Sequence, residues 1–580
     1  MNDLGNVCIK YPLHCIYFHC IIGHITYFEG EGSRVGMVSK MKVAIFLLML
    51  VVLVPAVHAS VPQIEVVKES ALGFAEAKAD LTEDIAKSLW EYAEIGLDEY
   101  KSYVKVRDVL AEAGFEIHQA AAGIPTCLVA TWGSGSPVLG IYEDIDALPG
   151  IGHGCGHNLN TAAGVVAAMS IKSAMEAHSV PGTIKVFINP AEEVWDVAPL
   201  VAAAGFYDDV DVLISTHAAS DNTSEFGSTM AMDHVEYKFK GTPAHASAAP
   251  EKGASALDAV ELMNIAVNFL REHLIQEMRI HYVITDGGAA PNIVPPTAAS
   301  RYFIRGPKYP DVTYARERID NCAKAAALAT GTELEIGFSS GIYNKVPNQA
   351  LALMAIEAIE QVGPTEFAAD DLAALEALGV KGMPTKEVKQ PTGGQSFGSN
   401  PIGDVTWKTP STTINAATWV PGTAGHSVES ALQSGSVYGF KGAVTASKTL
   451  ALLGLEMLMN PESLATVKAE FEDKMKGMPE YEGKAMIPAL AYPEAPGVIV
   501  TAPSEVKLIT AETAFVEADG DQIIIATETD VELGSFAVAD ATSPELGFSL
   551  TDPVSAGQRL KITYVTAHGD TWFYGYVHAK

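Results

Sequence analysis

The 580-residue sequence predicts an α/β body on a mostly parallel sheet, with an α+β domain inserted into it and a small all-β domain appended. Three observations predict this. From about residue 62, apolar runs of strand length alternate with amphipathic helical stretches. Between residues 232 and 343 the order becomes β-α-β-β-α-β, a split βαβ arrangement. Beyond residue 497, period-two alternation with frequent turn residues replaces both patterns.

Residues 1–59 stand apart. In KMKVAIFLLMLVVLVPAVHAS, Lys40 and Lys42 open an apolar run, and Val57-His58-Ala59 puts small residues at both positions a signal peptidase reads. This is the pattern of a secretory signal peptide. The run, residues 43–57, is shorter than the roughly 20 residues a membrane span needs. Export without stable membrane insertion is the expectation, and a retained anchor the alternative. Upstream, YPLHCIYFHCIIGHITYF has no amphipathic pattern and reads as a spurious segment, with the start at Met37 or Met41. A Cys/His metal tract is the rival reading. Cys8, Cys15 and Cys20 lie there, which leaves Cys127, Cys155 and Cys322, too few and too far apart for a disulfide framework.

Residues 60–231 form the first half of the body. LTEDIAKSLWEYAEIGL, KVRDVLAEAG and TAAGVVAAMSIKSAMEA read as helices, and CLVATW, PVLGIYED, TIKVFINP and VDVLIST as strands. Strands alternating with helices make a parallel sheet, whose loops at the strand C-termini carry the chemistry. In the insert, 232–343, strands HVEYKFKG, RIHYVITD, TAASRYFIRG and TELEIGFS surround helices SALDAVELMNIAVNFLREHL and TYARERIDNCAKAAALATG. The body resumes over 344–476 and closes on a long helix ending near Lys476. GMPEYEGKAMIPALAYPEAPG makes 477–496 a linker. Residues 497–580 read as a β sandwich or barrel. The net charge of −32 argues against nucleic acid and anionic membrane surfaces as partners.

The chemistry concentrates at predicted loop ends. In HGCGHN (153–158), Cys155 and His157 occupy a glycine-rich turn before a helix. A haem site needs CxxCH and a redox pair CxxC, and neither is present. A structural zinc site wants two close ligand pairs, so here further ligands must come from elsewhere. Glu192 and Glu193 in NPAEE follow one strand, His217 ends another, and His426 lies in the PGTAGHS loop. Adjacent glutamates are more often a solvated helix start. Together, though, one thiolate, three imidazoles and a carboxylate can hold two divalent ions that activate one water. The spare glutamate can then shuttle the proton.

The sequence resembles the co-catalytic metallopeptidase family of aminoacylases, carboxypeptidase G-like enzymes and auxin-conjugate hydrolases, most of all the lineage of its p-aminobenzoyl-glutamate hydrolase B subunits. The matching stretches are DIDALPG…HGCGHN, NPAEE, FYDDVDVLISTH, GTPAHASAAPEKGASALDAVELMNIAVNFLREH, RIHYVITDGGAAPNIVP, GDVTWKTP and GTAGHS, in family order over about residues 65–465. The resemblance implies Cys155, His157, Glu193, His217 and His426 as metal ligands and Glu192 as general base and acid. It implies Asp146, with help from Asp144, as the carboxylate that orients them. It makes the insert a lid and homodimerisation domain whose His245 reaches the oxyanion, often from the partner subunit. Asn292 and Arg305 would hold the substrate's free carboxylate. A Cys/His/Glu set suits zinc by softness, and the family also allows manganese, cobalt or nickel.

The implied activity is metal-dependent hydrolysis of N-acyl or aroyl amino acids. A dipeptidase or carboxypeptidase is one alternative, and a catalytically silent exported binding protein another. Two stretches depart from the family. VWDVAPLV after NPAEE is bulkier, with Trp195 and Asp196, and Ser399-Asn400-Pro401 replaces Ser-Thr-Asp before GDVTW. Both leave substrate choice and activity open.

Overall fold

The structure, a computed structural model, describes residues 63–485 and, further on, 498–501, 505–508, 522–527, 532–537, 546–550, 559–565 and 571–578. The expected signal peptide, its upstream segment and most of the expected linker lie outside the described residues.

The chain enters the body through helices α1 (Ile64–Ala77), α2 (Ala79–Tyr92) and α3 (Tyr100–Glu112). On α2 the apolar residues recur on one face, so Ile85, Ala86 and Leu89 are buried. Burying a side chain the size of Leu89 contributes about 2 kcal/mol. Strands β1 (Glu116–Gln119), β2 (Leu128–Ser134) and β3 (Val138–Asp144) follow. Then come helix α4 (His157–His178), strand β4 (Gly182–Asn189), short helices α5 (Glu192–Trp195) and α6 (Ala198–Ala203), and strands β5 (Val212–Ala219) and β6 (Thr223–Ser224).

The insert runs β7 (Ala231–Lys240), α7 (Ala256–Leu270), β8 (Arg279–Asp286), β9 (Thr297–Gly306), α8 (Tyr309–Thr330) and β10 (Glu333–Ile342). The body resumes with α9 (Gln349–Val362), α10 (Ala369–Ala377), α11 (Ile402–Val405), β11 (Ser411–Ala417), α12 (Val428–Ser434), α13 (Val437–Met459) and α14 (Pro461–Met475). The long helix expected here is therefore two. Pro461 cannot continue α13, and the Asn460 side chain caps α14 by accepting from the Glu462 and Ser463 amides.

The body sheet has the order β1-β2-β4-β3-β5-β11-β6. Its four central strands, β4-β3-β5-β11, are parallel, and the outer pairings are antiparallel. α4 is buried nearly all round, and α13 packs against it. α13 is long and apolar enough to cross a membrane, but most of it is buried in the body core.

The insert's sheet has the order β10-β7-β9-β8, all antiparallel, with α7 and α8 contributing to its core. The start of the expected linker is docked instead. Lys484–Ala485 adds an edge strand to β10, and the Tyr481 hydroxyl donates to Asp404 Oδ1 at 2.8 Å. Beyond residue 497 the described strands form two antiparallel sheets of three and four strands.

Candidate metal centre

The expected ligands sit along one edge of the parallel strands. Asp146 lies two residues past β3, Glu192 and Glu193 open α5 just past β4, His217 is near the end of β5, and His426 follows β11. β3 is flanked by β4 on one side and β5 on the other, so the chain departs in opposite directions there and leaves a crevice at the strand ends.

Three overlapping groups of donor atoms converge, each with its ligand atoms within 4.8 Å of one another: Cys155, His157 and His217; Cys155, Glu193 and His426; and His157, Glu192 and Glu193. Cys155 Sγ lies 3.4 Å from His217 Nε2, and His426 Nε2 lies 3.5 Å from Glu193 Oε1. His157 Nδ1 donates to the Asp146 carbonyl at 3.0 Å, and His217 Nδ1 to the Ala218 carbonyl at 2.8 Å. These backbone acceptors assign the Nδ1–H tautomer to both rings and leave Nε2 with a free lone pair, the state a metal ligand needs. His153, in the same turn, instead bonds the Leu89 carbonyl through Nε2 at 2.9 Å and belongs to none of the groups.

The turn is held by local geometry. Gly156 has φ +84°, and a Cβ there would run into the Ala218 side chain, so only glycine fits against β5. The His426 amide and the Ser430 hydroxyl both donate to the Gly154 carbonyl, at 3.0 and 2.7 Å, fastening the 421–427 loop to the turn. Ala191, Asp196 and His426 all have positive φ without being glycine. Such strain persists where surrounding structure over-determines it, and here it brackets the cluster.

Asp146 touches two of the expected ligands. Its Oδ2 accepts the Glu193 amide at 3.0 Å, and Oδ1 lies 3.3 Å from His157 Nδ1 without hydrogen-bond geometry. Asp144 accepts the Tyr142 hydroxyl at 2.7 Å. Burial pushes Asp144 up to about 7 and Glu192 well above the usual carboxylate range, with Asp144 adding to the latter. Burial also pushes the Cys155 thiol up to about 12 and pulls His217 down to about 4.

Asp144, Asp146, Glu192 and Glu193 pair with no lysine or arginine among the described residues, and Glu193 Oε1 is buried without a hydrogen-bond partner. Crowded buried carboxylates beside an acceptor-ready thiol and imidazoles are costly unless positive charge enters. The donor set therefore fits divalent cations, with Cys155, His157 and Glu193 each common to two of the three groups.

Residues 140–404 match the sequence model described as peptidase family M20/M25/M40. The match covers 265 of the 580 residues, a little under half of the chain. It is 29% identical over 449 residues to the B subunit of the p-aminobenzoyl-glutamate hydrolase of Escherichia coli K12, covering 68% of this chain and 93% of that one. It is 27% identical over 436 residues to the Xaa-Arg dipeptidase of Mus musculus, covering 72% and 95%. A putative aminohydrolase from methicillin-resistant Staphylococcus aureus shares the fold, with a TM-score of 0.52 and 18% identity over 67% of this chain and 100% of that one. Like these relatives, the chain is an amide-bond hydrolase.

The three expected insert residues are placed differently. His245 is exposed and outside the donor groups, with its Nδ1 accepting the Ala248 amide at 3.2 Å. Asn292 is also exposed, and its carbonyl accepts the Ala246 amide at 3.0 Å, so the two sit on neighbouring segments. Arg305 donates to the Phe397 carbonyl at 3.4 Å and faces Asp196, whose carboxyl burial pushes up to about 6.

Sequence reasoning missed three residues. Asn400, in the stretch that departs from the family, donates from Nδ2 to Glu192 Oε1 at 3.3 Å. Glu99 is fully buried and orients the NPAEE turn, accepting the Ala191 amide at 2.8 Å and the Thr126 hydroxyl at 3.0 Å. Lys345 is half-buried, desolvation lowers its pKa, and its charge acts on His217. The departure at 399–401 was the only sequence signal for any of them. Replacing Asn400 by Ala should lower kcat by about 3–10-fold, the worth of one modest hydrogen bond to a carboxylate, with KM within about two-fold. Steady-state kinetics reads this directly.

Proposed function

We propose that the chain is a two-metal amidohydrolase that cleaves N-acyl or aroyl amino acids such as p-aminobenzoyl-glutamate-like conjugates. The observation that carries this is the set of three overlapping donor groups around Glu192 and Glu193, with buried carboxylates that no lysine or arginine neutralises among the described residues. Cys155, His157, Glu193, His217 and His426 would hold two divalent ions, which when bound polarise the substrate carbonyl and acidify a water. Zinc or manganese fits the donors, and cobalt or nickel is admissible.

Glu192 is the general base and acid. It takes the proton of the attacking water, with Asn400 holding Oε1, and passes it to the amide nitrogen as the C–N bond breaks. The products are a carboxylic acid and an amino acid. Burial and the neighbouring Asp144 raise its proton affinity, which favours the delivery step. Arg305 and Asn292 hold the free carboxylate of the substrate.

His245, outside the cluster in its own chain, would serve the oxyanion in the site of a partner subunit. A homodimer through the insert is supported by α7, whose outward face carries Leu262, Ile265 and Phe269 in one stripe, the last 73% exposed. Sedimentation velocity of the purified protein reads the oligomer. Export rests on KMKVAIFLLMLVVLVPAVHAS, and sequencing the native N-terminus should find Ser60 first.

A dipeptidase is the second reading, favoured by the likeness to the Xaa-Arg dipeptidase. The test is a panel of p-aminobenzoyl-glutamate, acyl-amino acids and dipeptides with Zn²⁺ or Mn²⁺. Turnover of the conjugates above the dipeptides supports the first reading, and the reverse order supports the second.

A further inference from the structure

We propose that residues 477–485 form a strap that fixes the position of Glu192, with Tyr481 as a positioning residue that acts through Asp404 and Asn400. The inference rests on the amidohydrolase reading above and adds a segment to its machinery.

The strap follows α14, beyond the residues, about 65–465, that carry the family resemblance. It touches both parts of the fold. Met478 and Tyr481 pack against the insert's core, and Tyr481 also packs against the body cluster that includes α6. The Tyr481 ring lies 4.8 Å from that of Tyr343, in the segment that leads from the insert back to the body. Gly483 has φ +62°, and a Cβ there would run into the Ala203 side chain, so the strap lies flush on α6. Lys484 and Ala485 then pair with Gly341 and Ser340 on β10.

Asp404, on α11, is the junction. It is fully buried, with no lysine or arginine in salt-bridge contact among the described residues. Lys408, over the Tyr481 ring at 5.3 Å, pairs with Asp208 instead. Burial pushes the Asp404 carboxyl up to about 8. A buried carboxyl group needs hydrogen-bond partners, and here they come from two directions. The Tyr343 amide donates to Oδ2 at 2.9 Å, and the Tyr481 hydroxyl to Oδ1 at 2.8 Å. The same hydroxyl shares its proton with the Pro199 carbonyl at 3.3 Å.

These contacts reach both stretches that depart from the family. Pro199 lies in VWDVAPLV, and α11 directly follows Ser399-Asn400-Pro401. Asn400 joins α11 to the reacting group. Its Oδ1 accepts the Ile402 amide at 2.9 Å, while Nδ2 donates to Glu192 Oε1 at 3.3 Å. One side chain thus carries the placement of α11 to the carboxylate that moves the proton. α11 is a single turn, too short to be stable by itself, so its position is set by what grips Asp404. A displacement of ~1 Å at a reacting group can cost ~100-fold in rate.

Tyr481→Phe in the metal-loaded, full-length protein removes only the hydroxyl and tests this in two ways. In steady-state kinetics, kcat should fall ~3–10-fold with KM within ~2-fold and bound metal at the parent level. In the Asn400→Ala background the same substitution should lower kcat by less than ~2-fold, because the route to Glu192 is already cut. A merely structural tyrosine would add its full effect there. In hydrogen exchange read by mass spectrometry, the amides of 399–406 should exchange at least ~3-fold faster in Tyr481→Phe, while those of α4 keep the parent rate and report an intact fold. A parental kcat, an effect undiminished beside Asn400→Ala, or unchanged exchange at 399–406 overturns the proposal. Absence of turnover by the parent enzyme would instead overturn the amidohydrolase reading, and the exchange at 399–406 would still decide whether Tyr481 holds α11.

Discussion

Glu192→Gln should lower kcat by about 10²–10⁴-fold, the usual contribution of a positioned general base, while bound metal stays at the parent level. Glutamine keeps the shape and the Asn400 contact but cannot take the proton of the attacking water. Glu192 is also within ligand distance of His157 and Glu193, so metal content separates its two conceivable roles. Loss of activity with metal retained makes it the proton shuttle. Loss of one metal equivalent would make it a ligand, and proton transfer would have to be assigned to another group.

The second large effect follows from the overlap of the donor groups. Cys155 belongs to two of the three, whereas His217 and His426 each belong to one. Cys155→Ala should therefore remove more metal than His217→Ala or His426→Ala, leaving less than one equivalent. Its activity should fall at least ~100-fold, beyond what loss of a merely orienting partner causes. His426 is the most exposed donor, its side chain 56% accessible, so its replacement should be the mildest of the three. Atomic emission on the dialysed variants, followed by kinetics at saturating Mn²⁺ or Zn²⁺, checks the order. Equal metal loss in all three would mean that the donors act as one undivided set.

Much of this site was legible in the sequence because a parallel sheet puts its chemistry at predictable places. Apolar runs such as TIKVFINP and VDVLIST mark strands, and the residues just after them, Glu192, Glu193 and His217, gather at one edge. The glycines of HGCGHN marked a turn with special backbone, and Gly156 proved to need it. What stayed hidden has no local signature. Glu99 begins no motif, and only the folded chain brings it to Ala191, 92 residues on. Lys345 and Asn400 lie in the irregular second half, where neither period two nor period 3.6 points a side chain anywhere. Lys484–Ala485 is too short to show alternation, so a docked edge strand read as linker. His245 and Asn292 were found by resemblance, and a single chain leaves them exposed because the surface they serve belongs to the assembled dimer in our proposal.

The central claim is that a loaded metal pair and Glu192 together hydrolyse an amide. The most direct measurement is made on the purified mature protein: metal content by atomic emission, alongside turnover of p-aminobenzoyl-glutamate, acyl-amino acids and dipeptides. Our account predicts close to two metal equivalents, turnover abolished by chelation and restored by Zn²⁺ or Mn²⁺, and a Glu192→Gln protein that keeps its metal but not its activity. No bound metal and no turnover of any substrate, with Glu192→Gln indistinguishable from the parent, would contradict it.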